Sequence, residues 1–415
     1  MSKDRDRLGP RALFRDHLNV SQERPVSDLP PVGDFNYPAS YRIGAGRVRE
    51  LASACLELGI ERPLVVTDPG ILGLDWFGPI LPRLEAEGLA PRVFSEIETN
   101  PASSHVEAGL ASAAEHGADG CLLIGGGSAM DVGKCIALLA RNPGRILDYE
   151  DVGDNWKRAD GDRILPSIAV PTTAGTGSEV GRAAVILDPS EHSKKIIFHP
   201  RMQPDLVIAD PDLTLGLPPG LTAATGMDAL AHCFEAWCAP AYHPMADGIA
   251  LEGMRLISEN LVRAFEDGHD RTARTHLLMA ASMGATAFQK GLGLIHALSH
   301  PVGGLTGLHH GTANAIFQPY VMVHNRPAIE DRMPRLARML DLPGDRFEDV
   351  LDWTLRLRSR LELPHTLEGI VDESMIPELV PMAAADPSLS TNPKPCDPDD
   401  LERVLRKSLA GHLEP

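Results

Sequence analysis

Two textures divide the chain. From residue 40 to about 210, short apolar runs recur between stretches in which apolar residues return every three or four positions. PLVVTD (63–68), PRVFSE (91–96), GCLLIGGG (120–127) and SIAVPTT (167–173) read as strands, and AAVILD (183–188) and DLVIAD (205–210) are two further candidates. Between them, ILPRLEAEGL and HVEAGLASAAEHG carry helix formers at helical spacing. Strands alternating with helices predict βαβ units and a mainly parallel sheet covered on both faces. Beyond this region strand-like runs nearly vanish and periodic helix takes over, as in ADGIALEGMRLISENLVRAFED (246–267) and THLLMAASMGATAFQK (275–290). The expected organisation is an N-terminal extension mixed in charge and proline (1–35), an α/β domain (36–215) and an all-helical domain (216–415). The boundary falls at roughly 212–220, where Pro218 and Pro219 punctuate the chain. No internal repeat or low-complexity tract interrupts this plan.

Composition removes several function classes. Of 415 residues, 43% are hydrophobic, ordinary for a folded chain with a large core. The net charge of −18, with no dense Lys/Arg run, argues against a nucleic-acid partner, which needs a basic footprint. Six cysteines without a C-x-x-C pair point away from a disulfide framework and toward a reducing compartment. The first residues are charged and lack the apolar core of a signal peptide, and no run reaches ~18 uninterrupted apolar residues. A cytoplasmic protein without a membrane partner is expected.

Two glycine loops offer chemistry. In CLLIGGGSAMDVGKCIALLA, a strand runs into Gly125, Gly126, Gly127 and Ser128 and then into a helix. Bare backbone at a helix N-terminus, with its free N–H groups and partial positive charge, suits a phosphate or pyrophosphate. Two familiar motifs fail here. A P-loop would need glycine at Ser128 and a hydroxyl at Cys135, and G-x-G-x-x-G would need glycine at Met130. A tight strand-to-helix turn is the other reading. The second loop, PTTAGTGSEV (171–180), follows another strand and offers Thr172, Thr173 and Ser178. Two such loops at strand ends place a ligand at the carboxyl edge of the sheet. Asp68, closing PLVVTD, either accepts bonds from ribose hydroxyls, which favours NAD over NADP, or caps the turn at Pro69-Gly70.

The histidines cluster. Asp228 and His232 stand four apart in GMDALAHCFEAW, and His296, His300, His309 and His310 fall within fifteen residues. Pairs at i,i+4 share a helix face. A carboxylate with neutral imidazoles suits Fe²⁺ or Zn²⁺, while structural histidines are the alternative. Cys233, at i+5 from Asp228, points off the Asp228/His232 face.

Together, GGGSAMDVGK, PTTAGTGSEV, GLTAATGMDALAH and GLGLIHALSHPVGGLTGLHHGTANAI resemble the iron-containing (group III) alcohol dehydrogenase family. AHCFEAWCAPAYHPMADGIALEGM, AFQKGLG and STNPK (390–394) make the resemblance closest to its 4-hydroxybutyrate dehydrogenase branch. The likeness spans roughly residues 38–410. It implies the dehydroquinate synthase-like fold, in which an α/β nucleotide-binding domain and a helical metal domain enclose a cleft. It also implies metal ligands Asp228, His232, His296 and His310, with His300 beside them as a proton-relay or substrate-orienting group. Gly125, Gly126, Gly127 and Ser128 would hold pyrophosphate, Thr172, Thr173 and Ser178 would line the nicotinamide and phosphate side, and Asp131 belongs to the same motif. Asp68 matches the position that selects NAD. The family lysine is Lys194 or Lys195, and register leans to Lys194. The implied cofactors are NAD and one divalent ion, Fe²⁺ or Zn²⁺. The implied reaction is hydride transfer between nicotinamide and a short primary alcohol or hydroxy acid such as 4-hydroxybutyrate, with the metal as Lewis acid. A hydroxyacid-oxoacid transhydrogenase is the nearest alternative, and an NAD-using lyase of the dehydroquinate synthase type is another. A small-molecule substrate and a second copy of the chain, as a homodimer, are the expected partners.

Overall fold

The central strands of the sheet are four to six residues long and mostly apolar. A computed structural model describes residues 39–191 and 193–413, so the expected extension over 1–35 lies outside the described residues. The strands are β1 (Ser40–Ile43), β2 (Pro63–Val66), β3 (Arg92–Phe94), β4 (Gly120–Gly125), β5 (Ser167–Pro171), β6 (Ala183–Asp188), β7 (Ser193–Phe198) and β8 (Leu206–Ala209). Six of them form one sheet in the order β1-β8-β5-β4-β2-β3, and every pairing is parallel. β2, β4, β5 and β8 are buried at every position. Both of their faces are covered, which is why their sequences run continuously apolar and do not alternate.

Helices α1 (Leu51–Glu57), α2 (Ile80–Ala86), α3 (Ser103–His116) and α4 (Gly127–Leu139) cover the sheet. Leu51, Cys55, Ile80 and Leu84 pack on Val65, Leu122 and Ile168 on one face. Val106, Met130 and Ile136 pack on Leu64, Leu123 and Ala169 on the other. The chain therefore leaves β2 toward one face and β4 toward the other, although the two strands are neighbours. Such a reversal opens a crevice at the carboxyl ends of both strands.

β6 departs from the strand pattern. It pairs antiparallel with β7 in a separate two-stranded sheet. Neither β7 (SKKIIF) nor β1 (SYRI) is legible as an apolar run, because each spends half or more of its length on polar residues.

From residue 219 onward the described residues are helical: α5 (Pro219–Cys238), α6 (Pro244–Glu266), α7 (Arg271–Ala287), α8 (Leu294–Thr306), α9 (His310–Ile329), α10 (Met333–Met339), α11 (Phe347–Arg360), α12 (Ile376–Ala385) and α13 (Pro398–Ala410), with short 3₁₀ turns between. α5 is buried along nearly its whole length, and a close approach fixes its packing on α9. A β-carbon on Gly311 would lie 2.0 Å from the carbonyl oxygen of Ala224, so no larger residue fits there. A polar tie joins the halves: Glu179, after β5, accepts a 2.5 Å hydrogen bond from Ser282 Oγ of α7, and Tyr41 of β1 shares that hydroxyl at 2.9 Å. No described helix is long and apolar enough to cross a membrane.

Candidate active site

One edge of the candidate site is built where β2, β4 and β5 end. Asp68 Oδ2 lies 3.3 Å from the point where a Gly125 side chain would begin, so the acid and the first glycine loop face each other across the reversal. Burial raises the Asp68 carboxyl above its usual range, against backbone hydrogen bonds from Gly70 and Ile71 that favour the ionised form. Asp68 thus organises the turn and also stands at the crevice. The second loop lies directly on the first. Thr172 N donates to the Gly125 carbonyl at 3.0 Å, and a β-carbon on Gly127 would meet Thr176 Cγ2 at 2.8 Å. Gly127 and Ser128 open α4, so their amides belong to a free helix N-terminus.

Asp131 and Ser178 spend their bonds on each other. Ser178 Oγ donates to Asp131 Oδ1 at 2.6 Å, and Val185 N donates to Asp131 Oδ2 at 2.9 Å. Buried Lys134 donates to Ser178 Oγ at 2.6 Å, to its carbonyl at 3.1 Å and to the Ala183 carbonyl. The knot fixes the second loop and the β6–β7 hairpin to α4. Asp131 and Ser178 thus hold this loop and hairpin in place. The hairpin then decides between the two lysines, because neighbours on a strand point to opposite sides. Lys195 binds Glu191 at 2.6 Å and Glu150 at 3.6 Å. Burial lowers the Lys194 ammonium from its ordinary value, against the nearby charges of Asp386, Asp131 and Asp228. Lys194 is the one that faces the site.

The metal-type cluster lies on α5, α8 and α9. Asp228 Oδ1 is 3.6 Å from His232 Nε2, 3.9 Å from His296 Nε2 and 3.4 Å from His310 Nε2. The side chains of Asp228, His232 and His296 are no more than 7% exposed, whereas His310 and His300 keep 28% and 20%. The cluster therefore opens toward solvent only on the His310/His300 side. Burial pushes His232 down to about 4 and His310 well below the usual imidazole range. Both are neutral nitrogen donors at pH 7. Burial works the same way on His296, but the Glu235 carboxylate outweighs it and raises that group. An ionised carboxylate only accepts, so His296 Nδ1 donates to Glu235 Oε2 at 2.6 Å and its Nε2 lone pair is left facing the cluster.

Three residues of this site were not named in the sequence reading. Glu235 also takes the backbone N–H of Ile295 at 2.6 Å, which caps α8 and locks the register of His296. Asn314, one turn beyond His310, donates to Asp228 Oδ1 at 2.8 Å, with His310 Nε2 at 3.2 Å and His296 Nε2 at 3.4 Å. Asn314 has two N–H bonds to share among these three atoms, which with His232 Nε2 bring one carboxylate oxygen and three imidazole nitrogens together. That donor set fits a divalent ion of the iron or zinc type. Asp386 pairs with His300 Nδ1 at 2.7 Å, and the His300 ring stacks on His310 with centroids 5.2 Å apart. The helical spacing of Glu235 from Asp228 and His232, and of Asn314 from His310, was the available clue. For Asp386 there was none. His309 lies just before α9, and Cys233 packs against the Ala280 carbonyl away from the cluster.

Comparison with known proteins follows the same outline. Residues 38–211 match the family described as iron-containing alcohol dehydrogenase, and residues 222–409 match the C-terminal part of the Fe-containing alcohol dehydrogenase family. The chain is 43% identical over 387 residues to a 4-hydroxybutyrate dehydrogenase of Cupriavidus necator, covering 90% of this chain and 99% of that one. A 1,3-propanediol oxidoreductase superposes with TM-score 0.85 at 31% identity, over 91% of this chain and 99% of that one. A sulfoacetaldehyde reductase from Bifidobacterium kashiwanohense, solved in complex with NAD+, does so with TM-score 0.83 at 28% identity, over 91% and 99%. The resemblance read from the motifs is borne out, including its leaning to the 4-hydroxybutyrate dehydrogenase branch. The chain is an oxidoreductase of the alcohol dehydrogenase type and belongs to the iron-containing alcohol dehydrogenase family.

Proposed function

We propose that this chain interconverts a short-chain hydroxy acid of the 4-hydroxybutyrate type and its semialdehyde, using NAD and a divalent metal. The observation that carries the reading is the convergence of Asp228, His232, His296 and His310 beside Lys194, whose charge is felt both by that cluster and by Asp131 of the nucleotide edge. Asp228, His232, His296 and His310 would hold the ion, which when bound supplies Lewis-acid polarisation of the substrate oxygen. NAD supplies the hydride acceptor. The neighbour solved with NAD+ and the 43% identical relative support the cofactor and the substrate class.

The chain's own groups do the rest. Gly125, Gly126, Gly127 and Ser128 face the pyrophosphate with backbone amides at the α4 N-terminus, and Thr172 and Thr173 line the nicotinamide side. Asp68 receives the ribose hydroxyls and repels a 2′-phosphate. Lys194 supplies the cation that a substrate carboxylate needs. His300, its Nδ1 tied to Asp386, presents Nε2 on the open side, where it takes or returns the hydroxyl proton. We assign the nucleotide to the 36–215 half and the metal to the 216–415 half. The resemblance also carries a homodimer and a cytoplasmic location as expectations, which light scattering and cell fractionation test.

The decisive experiment is His310→Ala with metal analysis and a panel of alcohols and hydroxy acids. Metal stoichiometry and NADH production should fall together. Normal metal content with normal turnover would overturn the ligand assignment, and turnover only with an added oxo acid would move the enzyme to the transhydrogenase reading.

A further inference from the structure

α8 carries His296 and His300, yet it begins without a cap of its own. Its N-cap residue is Gly293, which has no side chain to offer the free amides of the first turn. Two remote side chains take them. Leu294 N donates to Asn392 Oδ1 at 3.1 Å, and Ile295 N donates to Glu235 Oε1 at 2.6 Å. The loop before the helix is shaped to admit both. A β-carbon on Gly293 would lie 2.8 Å from Asn392 Oδ1 and 3.0 Å from Glu235 Oε1, and one on Gly291 would lie 2.5 Å from Thr391. Thr391 Oγ1 also donates to the Leu292 carbonyl at 2.8 Å. The AFQKGLG and STNPK motifs are therefore two sides of one contact.

Asn392 is held in a single orientation. Its Oδ1 also accepts from Asn325 Nδ2 at 2.9 Å, and its Nδ2 donates to Asn325 Oδ1 at 2.8 Å and to the Lys394 carbonyl at 2.7 Å. Turning the amide over would set its N–H groups against the Leu294 amide, so the acceptor stays on the helix. Asn325 stands on α9, which begins with His310, so Asn392 joins the two helices that supply His296 and His310. It also ends a 3₁₀ turn (Pro387–Thr391) whose other flank is Asp386. Asp386 Oδ1 accepts from Ser388 N at 2.9 Å, and its Oδ2 pairs with His300 Nδ1 at 2.7 Å. Asp386 to Asn392 spans about 12 Å at ~2.0 Å per 3₁₀ residue, and Leu294 to His300 about 9 Å at ~1.5 Å per helical residue. One short segment thus meets α8 at its first amide and again at His300.

The competing reading is packing alone, with the Asn325–Asn392 pair filling space between α8, α9 and the C-terminal segment. Burial argues against it. Both asparagines are buried, and an apolar pair would fill the same space without the cost of desolvating two amides.

We propose that Asn392 is a positioning residue of the metal cluster: by capping α8 from a remote part of the chain, it sets the register at which His296 and His300 face Asp228 and His310. The inference rests on the ligand assignment made above. Amide exchange and cobalt(II) titration of the full chain test it, with Asn392→Leu and Asn325→Leu side by side. Both variants break the amide pair, but only Asn392→Leu uncovers the Leu294 amide. In the metal-free chain, exchange at the start of α8 should quicken about tenfold in Asn392→Leu, as for loss of one cap, and stay near the parent rate in Asn325→Leu. Cobalt(II) should bind Asn392→Leu about tenfold more weakly and with a shifted d–d absorption band, while Asn325→Leu keeps the parent band. Gly293→Ala, whose β-carbon intrudes on both caps, should give the same two changes, and it carries the test if Asn392→Leu does not fold. Equal losses in the two leucine variants, or a parent exchange rate in Asn392→Leu, would overturn the proposal. Unchanged cobalt affinity in Asn392→Leu, beside a parent chain that binds, overturns this inference alone. A parent chain that takes up no cobalt overturns the ligand assignment and this inference with it.

Discussion

Glu235 serves two partners with two oxygens, and both lead to His296. Oε2 accepts from the imidazole Nδ1 and Oε1 from the Ile295 amide that begins α8. Glutamine keeps the shape but replaces one acceptor with a donor, so one partner is lost whichever way the amide turns. Glu235→Gln should weaken metal affinity ~10–100-fold, measured by chelator competition, while far-UV circular dichroism stays native. Unchanged affinity would reduce Glu235 to a packing role. This residue also shows where sequence reading stops. Spacing at i,i+4 marked Asp228 with His232 and His296 with His300 as sharing helix faces, whereas the set Asp228, His232, His296 and His310 came from the resemblance to the family. Glu235, Asp386 and Asn314 find their partners 61, 86 and 86 residues away, and local periodicity contains no trace of those pairings.

At the scale of elements, legibility followed burial. β2, β4, β5 and β8 are wholly buried and stand out as apolar runs, whereas β7 spends its first half on Ser193, Lys194 and Lys195 and hides. Missing that hairpin left the choice of Lys194 over Lys195 resting on register alone, because only strand geometry separates them. The α5–α9 contact is equally silent in sequence. Alanine at Gly311 would gain ~1 kcal/mol in helix propensity, but its β-carbon would fall 2.0 Å from a backbone oxygen, an overlap costing typically 1–3 kcal/mol or more. The overlap wins. Gly311→Ala should lose about 2 kcal/mol in urea unfolding and lower metal stoichiometry, since His310 moves with α9; a stabilised variant would contradict the contact. The tie between β5's loop and α7 makes a pH prediction. Burial raises the Glu179 carboxyl, only partly offset by the Ser282 hydrogen bond and Lys134. A carboxyl raised on folding favours the protonated native state. Stability is therefore lost as pH climbs from the unfolded value of about 4.3 through the folded one. Glu179→Gln removes that loss and still accepts from Ser282. Its stability relative to the parent chain should rise between pH 5 and 8, and a flat difference would mean the group ionises freely in the fold.

For the molecule as a whole, net charge said little about the cofactor, because backbone amides and helix ends face an anionic dinucleotide without needing a basic surface. The connectivity of the core says more. One face of the sheet, α3 and α4 share a single apolar cluster with α5 through α13, while the other sheet face forms its own. Nucleotide and metal halves are therefore expected to unfold together. The proposed ligands come from three helices and are separated by up to 82 residues of chain, from Asp228 to His310, so a bound ion links elements that the unfolded chain cannot hold together. An ion that binds only the native state stabilises by RT ln(1 + [L]/Kd), about 2.7 kcal/mol at a hundredfold excess over Kd. In a chain of this size each kcal/mol moves the midpoint by roughly 1–2 °C. Chelation should accordingly lower a single calorimetric transition by about 3–5 °C, and adding back Fe²⁺ or Zn²⁺ should restore it. A scan that splits in two, with only one peak responding to chelator, would show that the shared core does not couple the halves. The 36–215 and 216–415 segments would then be energetically independent domains.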